Sequence, residues 1–305
     1  MILHRLRGAI RGGKVVGSCV PREKTARELA EMMVGGEFTT TDRSGRALGA
    51  TIFEVKALSL PSMSQFGPSL REVSLSLRAG EVLGIGGVAG NGQEELLATL
   101  SGEVPSAPGT VRLHGQDISD LGPNDRRRLG LQGAPEERLG HAAVPNMSLT
   151  DNALLTGTVR RPLTRKGFLD MTAARLFAEE IIQAFDVRTP GPQVAARALS
   201  GGNLQKFVIG REVLQAPEVL IVNQPTWGVD AAAAAAIRQA LLDLAAKGAA
   251  VIVISQDLDE LMEIADRFCA LNEGRLSDPR PTEGLTIDEI GLMLGGAHGM
   301  AEAAQ

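Results

Sequence analysis

Three apolar runs constrain the fold more than any other feature: Glu81–Gly87 (EVLGIGG), Val219–Val222 (VLIV) and Ala249–Ile254 (AAVIVI). None alternates polar with apolar residues, as a strand with one wet face must, and each is followed by helix-compatible sequence. Such runs read as parallel strands buried on both faces, and a parallel sheet needs helices above and below it. The expected class is α/β with a central sheet covered on both sides, and 305 residues suffice to bury such a core. Between about Leu121 and Ala198 strand signals weaken and helical stretches such as Thr172–Ala184 take over. An inserted helical subdomain is predicted there, at about 121–198.

Two distant segments resemble each other. GGKVVG from Gly12, then TARELAEMMVGG ending at Gly36, parallels EGRLSD from Glu273, then TIDEIGLMLGG ending at Gly296. Both read as a glycine turn into a short strand, then a threonine N-cap with glutamate at the third helical position, closing on Gly-Gly. Two ordinary strand-turn-helix segments can look alike by chance; the alternative is a duplicated module. On that second reading residues 1–36 are the C-terminal remnant of a preceding module, 37–50 (EFTTTDRSGRALGA) a polar linker, 51–296 a whole module and 297–305 a tail.

Composition removes several function classes. A formal net charge of −5 lacks the basic footprint of nucleic-acid binding. Cys19 and Cys269 are far apart and read as free thiols of a reducing compartment, and His4, His114, His141 and His298 are scattered without metal-ligand spacing. No run approaches the roughly 18 apolar residues of a membrane span. A cytoplasmic chain, at most docked to a membrane partner, is expected.

The chemistry-bearing segments follow the strands. Gly87-Val88-Ala89-Gly90-Asn91-Gly92-Gln93-Glu94 has the glycines of G-x-x-x-x-G-K-[ST] without its lysine or hydroxyl, so alone it is either a phosphate loop or merely a turn. Leu199-Ser200-Gly201-Gly202-Asn203, with Gln205-Lys206, opens a helix running to about Gln215. Ser200 is a plausible N-cap there, and the amides of Gly201 and Gly202 could form an anion site or simply an ordinary helix start. Then come Asn223-Gln224-Pro225-Thr226-Trp227-Gly228-Val229-Asp230 after one strand and Ser255-Gln256-Asp257 after the next.

Taken together, the glycine loop, LSGGN, QPT-x-G-x-D and IS-Q-DLDE resemble an ATP-binding cassette. The forms VAGNGQ, LSGGNLQK and QPTWGVD are similar to the second cassette of tandem ABC importers for sugars and nucleosides. The resemblance spans about Phe53 to Gly296, and residues 1–36 resemble the end of a preceding cassette. It implies a P-loop nucleotide-binding domain with an N-terminal antiparallel β subdomain and an inserted α-helical subdomain. ATP and Mg²⁺ would be its cofactors. Another cassette, membrane permease subunits and indirectly a substrate-binding protein would be its partners, on the cytoplasmic face of the membrane.

By the same resemblance Gly87, Gly90, Asn91, Gly92, Gln93 and Glu94 correspond to the phosphate loop, with Gln93 replacing its lysine and Glu94 its magnesium-binding hydroxyl. A charge pair at 4 Å and an effective dielectric near 20 is worth about 4 kcal/mol, so the exchange predicts weak nucleotide binding. Backbone amides at the helix start, and Glu94 as a direct magnesium ligand, could soften the loss. Asn223, Gln224 and Gln256 stand where the family has Asp, Glu and the switch histidine. An amide keeps position and hydrogen bonds but takes no proton from water, a role worth about 10²–10⁴-fold in rate.

Glu136 in Ala134-Pro135-Glu136-Glu137-Arg138 replaces the loop glutamine, and the stretch from it through Asn152 corresponds to the permease-facing region. Ser200, Gly201, Gly202 and Asn203 are intact and imply service to the ATP of a partner cassette; Asp230, closing the next segment, is a further cofactor-binding candidate. Phe66 is the candidate adenine-stacking residue. Alternatives are a non-hydrolytic regulatory module that docks on a permease or cassette, and a truncated remnant of a tandem ATPase.

Overall fold

The computed structural model describes residues 46–62 and 67–296, together with the backbone of two strands at 8–11 and 14–18. Those two, β1 (Gly8–Arg11) and β2 (Lys14–Ser18), pair antiparallel. Strands β3 (Thr51–Leu60), β4 (Leu70–Arg78), β6 (Val111–Leu113) and β7 (Gln116–Asp117) form an antiparallel sheet in the order β4-β3-β6-β7. β4 alternates buried and exposed residues over most of its length, as a sheet with one core face requires.

The uninterrupted apolar runs do form the centre. β5 (Val82–Gly86), β8 (Leu131–Ala134), β11 (Val219–Asn223), β12 (Ala250–Ser255) and β13 (Arg267–Asn272) run parallel in the order β13-β5-β12-β11-β8. Short strands β14 (Arg275–Leu276) and β15 (Arg280–Pro281) pair antiparallel with β13. Every residue of β5, β11 and β12 is buried. Consecutive side chains leave the sheet on opposite sides. Ile221, Ile252 and Ile254 join a core with α1 (Gln93–Ser101) and the antiparallel sheet, while Leu220, Val222, Val251 and Val253 join a second core under the helices.

The helices are α2 (Pro123–Arg128), α3 (Leu149–Gly157), α4 (Met171–Ala184), α5 (Gly201–Val213), α6 (Ala231–Ala246), α7 (Leu258–Ile264) and α8 (Ile287–Leu294), with a small hairpin of β9 (Thr164–Arg165) and β10 (Phe168–Leu169) before α4. Side-chain caps start several of them: Ser148 and Thr286 make capping boxes with Asp151 and Glu289, and Asp170, Asp230 and Asp257 accept first-turn amides. Among the described residues no helix is long and apolar enough to cross a membrane.

Three local expectations change. Within the stretch read as helical from Leu121, Leu131–Ala134 is a strand of the central sheet; four residues carrying Gln132 and Gly133 give too little apolar signal to declare it. Arg46, in the polar stretch read as linker, packs its side chain to 5% exposure and pairs with Asp266 at 2.8 Å. Ser200 occupies the N-cap position of α5 but makes no side-chain cap bond; its hydroxyl accepts from Asn203 Nδ2 at 2.9 Å. In the second of the two similar segments, the Glu273–Gly274 turn, β14 and the Thr286 capping box all form. The corresponding helix of the first segment, the 37–45 part of the linker, Phe66 and the tail lie outside the described residues.

Candidate nucleotide site

The loop between β5 and α1 turns on glycines where a side chain could not follow. Gly90 and Gly92 have φ of 85° and 113°, in the left-handed region that favours glycine. A Cβ on Gly87 would stand 2.6 Å from Leu271 O and 2.8 Å from Gln93 Nε2. The loop is tied to the β13–β14 turn, because Gly274 N donates to Asn91 O at 2.9 Å and Glu273 N to Asn91 Oδ1 at 3.2 Å.

Gln93 closes this loop on itself. Its Oε1 accepts from Asn91 N at 3.0 Å and its Nε2 donates to Val88 O at 2.9 Å, so its amide engages an N–H and a carbonyl of the loop backbone. One donor that an incoming phosphate would use is already taken, by a neutral group.

Gly90, Gln93, Glu94, Glu136, Gln224 and Gln256 converge on one pocket of ≈ 400 Å³, with Glu95, Ala89, Gly67 and Pro68 completing its wall. Among the described residues three carboxylates and no lysine or arginine line it. Burial, then the Glu94 carboxylate, raises the Glu136 pKa above its ordinary value, with Arg138 opposing. Among the described residues no group of three side chains able to hold a metal ion forms, so Glu94 stands near Glu136 without a ligand set around it. The helix N-terminus and loop amides suit an anion, whereas the three carboxylates oppose one.

At the strand ends the three amides differ. Gln224, at a left-handed φ of 52°, places its Oε1 3.4 Å from the donating Gln256 N and 3.5 Å from Ser255 Oγ. Asn223 is 1% exposed, and neither atom of its amide finds a hydrogen-bond partner among the described residues. A buried carboxylate in that position would cost considerably more than the amide. Behind them Glu260, which sequence reasoning passed over, accepts from Ser255 Oγ at 2.8 Å, and burial raises its pKa. Its only sequence signal was a first-turn position behind the Asp257 cap.

Ser200, Gly201, Gly202 and Asn203 do not line this pocket. They open α5 elsewhere, beside the turn Trp227–Gly228: a Cβ on Gly202 would lie 3.7 Å from Gly228 O, and Trp227 is 64% exposed. Asp230 is a helix cap, accepting from Ala233 N at 2.9 Å. Arg138, quoted in the sequence motif without a role, reaches this second cluster. Asn152 is fully buried and fastens the preceding loop, accepting from Val144 N at 2.8 Å and donating to Val144, Met147 and Ser148 carbonyls.

The ABC transporter family model matches residues 70–227. The nucleoside import ATP-binding protein NupA of Lactococcus lactis is 35% identical over 94% of this chain and 57% of its own length. The guanosine import ATP-binding protein NupO of Bacillus subtilis is 34% identical over 94% and 56%, and the ribose import ATP-binding protein RbsA 1 of Rubrobacter xylanophilus 34% over 94% and 56%. The chain thus spans little more than half the length of these relatives. Among solved structures, an ATP-binding subunit of an ABC transporter superposes with a TM-score of 0.65 at 22% identity, over 80% of this chain and all of that one. An ATP-binding cassette dimer in a post-hydrolysis state with ADP and Pi gives 0.64 at 20% identity, over 77% of this chain and 100% of its own. These two likenesses establish the fold, an ABC-type α/β nucleotide-binding domain with an antiparallel β subdomain and a helical region.

Proposed function

This chain belongs to the ABC transporter family, and on that premise we propose that it is an ATP-binding-cassette subunit of an importer for simple sugars or nucleosides whose own nucleotide site is degenerate. Its Ser200–Asn203 segment completes the ATP site of a partner cassette. The carrying observation is the contrast between the two clusters. Among the described residues the chain's own pocket is lined by Glu94, Glu95 and Glu136 without a cation and its loop is closed by Gln93, while the Ser200–Gly202 turn stands apart from it beside an exposed Trp227. The cargo class rests on relatives named for nucleoside, guanosine and ribose import.

Hydrolysis at the chain's own loop lacks a base at the positions where the resemblance implies one, since Gln224 and Gln256 are neutral amides at all ordinary pH. ATP and Mg²⁺ are held weakly there or met in trans, with Glu94 the candidate for a metal contact. A membrane permease docks near the segment from Glu136 through Asn152. Leu139, Val144 and Met147 there are exposed apolar side chains, which supports this reading. The substrate-binding protein is an indirect partner, and the working location is the cytoplasmic face of the membrane. The domain roles follow the same reading, with residues 1–36 the end of a preceding cassette and 51–296 the cassette itself.

The test is titration of the purified chain with a fluorescent ATP analogue and Mg²⁺, beside the Gln93→Lys/Glu94→Ser variant. The wild type is expected to bind weakly and the variant at least about tenfold more tightly, a conservative fraction of the charge effect. Adding the wild type to a hydrolysis-competent cassette should raise that cassette's ATP turnover, and Ser200→Arg should abolish the gain. Tight binding with unaided hydrolysis by the wild type would overturn the proposal. Binding of neither ATP nor a partner's catalytic site, with retained docking to a permease, would favour a non-hydrolytic regulatory module.

A further inference from the structure

Arg138 lies two residues beyond Glu136, yet its guanidinium ends in the second cluster. Its Nε donates to Gln205 Oε1 at 2.8 Å, and its Nη2 donates to the carbonyl of Trp227. It also fills space that two glycines leave open: a Cβ on Gly201 would stand 2.7 Å from Nη1, and one on Gly228 3.2 Å from Nη2. Gln205 is 1% exposed and carries the connection onward, donating to Pro225 O at 2.9 Å and Gln224 O at 3.3 Å. One side chain therefore joins the Glu136 loop, the start of α5 and the turn that follows β11.

We propose that Arg138 is a positioning residue, a latch that fixes the Ser200–Gly202 turn against Trp227–Gly228 before any partner arrives and links that surface to the pocket containing Glu136. A cation beside the N-terminus of α5 works against the helix dipole, so simple packing does not account for its placement. The planar guanidinium supplies what the position uses, separate donors in fixed directions; a lysine ammonium supplies charge without that fork. Glu136, on the same short loop, provides the compensating charge. Rearrangement of that loop would move the guanidinium and with it the α5 turn.

The proposal concerns the geometry of this chain; its consequence for turnover rests on the reading that Ser200–Gly202 serves a partner's nucleotide. Trp227, the sole tryptophan, reports on the latch directly. In the full chain, Arg138→Ala should increase acrylamide quenching of Trp227 and speed amide hydrogen exchange at Gly201–Leu204 and Trp227–Val229 by about tenfold, a local opening, while exchange in β12 holds. Arg138→Lys should behave like Arg138→Ala, because charge alone does not restore the fork. Gly201→Ala, whose Cβ displaces the guanidinium, should reproduce the same local change, and adding it to Arg138→Ala should have no further effect.

In the partner assay Arg138→Ala should lower the stimulated turnover number without changing KM for ATP. Wild-type-like quenching and exchange in Arg138→Ala would overturn the proposal. So would full additivity of the two substitutions, or loosening spread evenly over the chain. If the wild type stimulates no partner, the functional reading fails while quenching and exchange still decide the latch.

Discussion

Single residues decide what the pocket can hold. Gln93 and Glu94 were conspicuous in the sequence because the glycine frame around them fixes what should stand there. The folding back of Gln93 onto the backbone of Val88 and Asn91 was not visible. Nor was the meeting of Glu94 with Glu136, which depends on β5 and β8 lying on opposite sides of β12 and β11 in one sheet. That meeting is measurable. Burial and Glu94 together raise the Glu136 pKa, so Glu94→Ser should bring it down, read as an earlier midpoint in a carboxyl ¹³C titration. A raised carboxyl contributes stability that is complete below its unfolded pKa of about 4.3 and is lost as pH rises through the folded value. Glu94→Ser should therefore gain on the wild type in urea midpoint as pH climbs through that window.

At the scale of elements, charge is spent on fixing helices to one another. Arg126-Arg127-Arg128 would pass in sequence as a solvated basic run, yet helical geometry sends the three in different directions. Arg126 is completely buried and donates to the Leu121, Thr99, Leu100 and Ser119 carbonyls, holding the end of α1. Burial lowers its pKa to about 10, so it stays charged at neutrality. Arg127 reaches Glu212 of α5 at 2.7 Å, and Glu212 also takes bonds from Arg211 at 2.7 Å and from Thr156 of α3 at 3.0 Å. Burial pushes the Glu212 pKa upward, but the two guanidiniums outweigh it and hold the carboxyl below its ordinary range.

Glu212→Gln would leave those cations uncompensated. It should cost about 3–5 kcal/mol near neutral pH by urea denaturation. The sign for pH is opposite to that of Glu136: a depressed carboxyl gives stability present above its unfolded pKa and lost as pH falls through the folded one. The gap between wild type and Glu212→Gln should close in acid. If it is unchanged at pH 3, the depressed pKa is not what stabilises this junction.

Across the whole molecule the parallel sheet is shared by two cores, one toward α1 and the antiparallel sheet and one toward the helices. Ile252 faces the first and Leu220 the second, both at 0% exposure. Because neighbouring residues of the same strands serve both sides, the halves should melt together. Ile252→Ala and Leu220→Ala should each cost about 2–5 kcal/mol, and each should shift one common transition seen by both circular dichroism and hydrogen exchange. A split into two transitions would show that the faces unfold independently.

What the sequence by itself determined is whatever local chemistry encodes: strands buried on both faces, as continuous apolar runs; the glycine turn before α1; and the helix starts at Ser200 and Thr286. These need no knowledge of distant neighbours, because backbone sterics and burial of one's own side chains suffice. The tertiary structure alone decided the rest. It made a strand of Leu131–Ala134, left Asn223 without a partner, closed the loop with Gln93, and carried Arg138 across to Gln205 and Trp227. The strand pairing of Leu131–Ala134 and the Arg138 contacts join positions far apart in the chain, which only the crossovers of the parallel sheet bring within hydrogen-bond reach, while the Gln93 closure is local and depends on the folded shape of its loop.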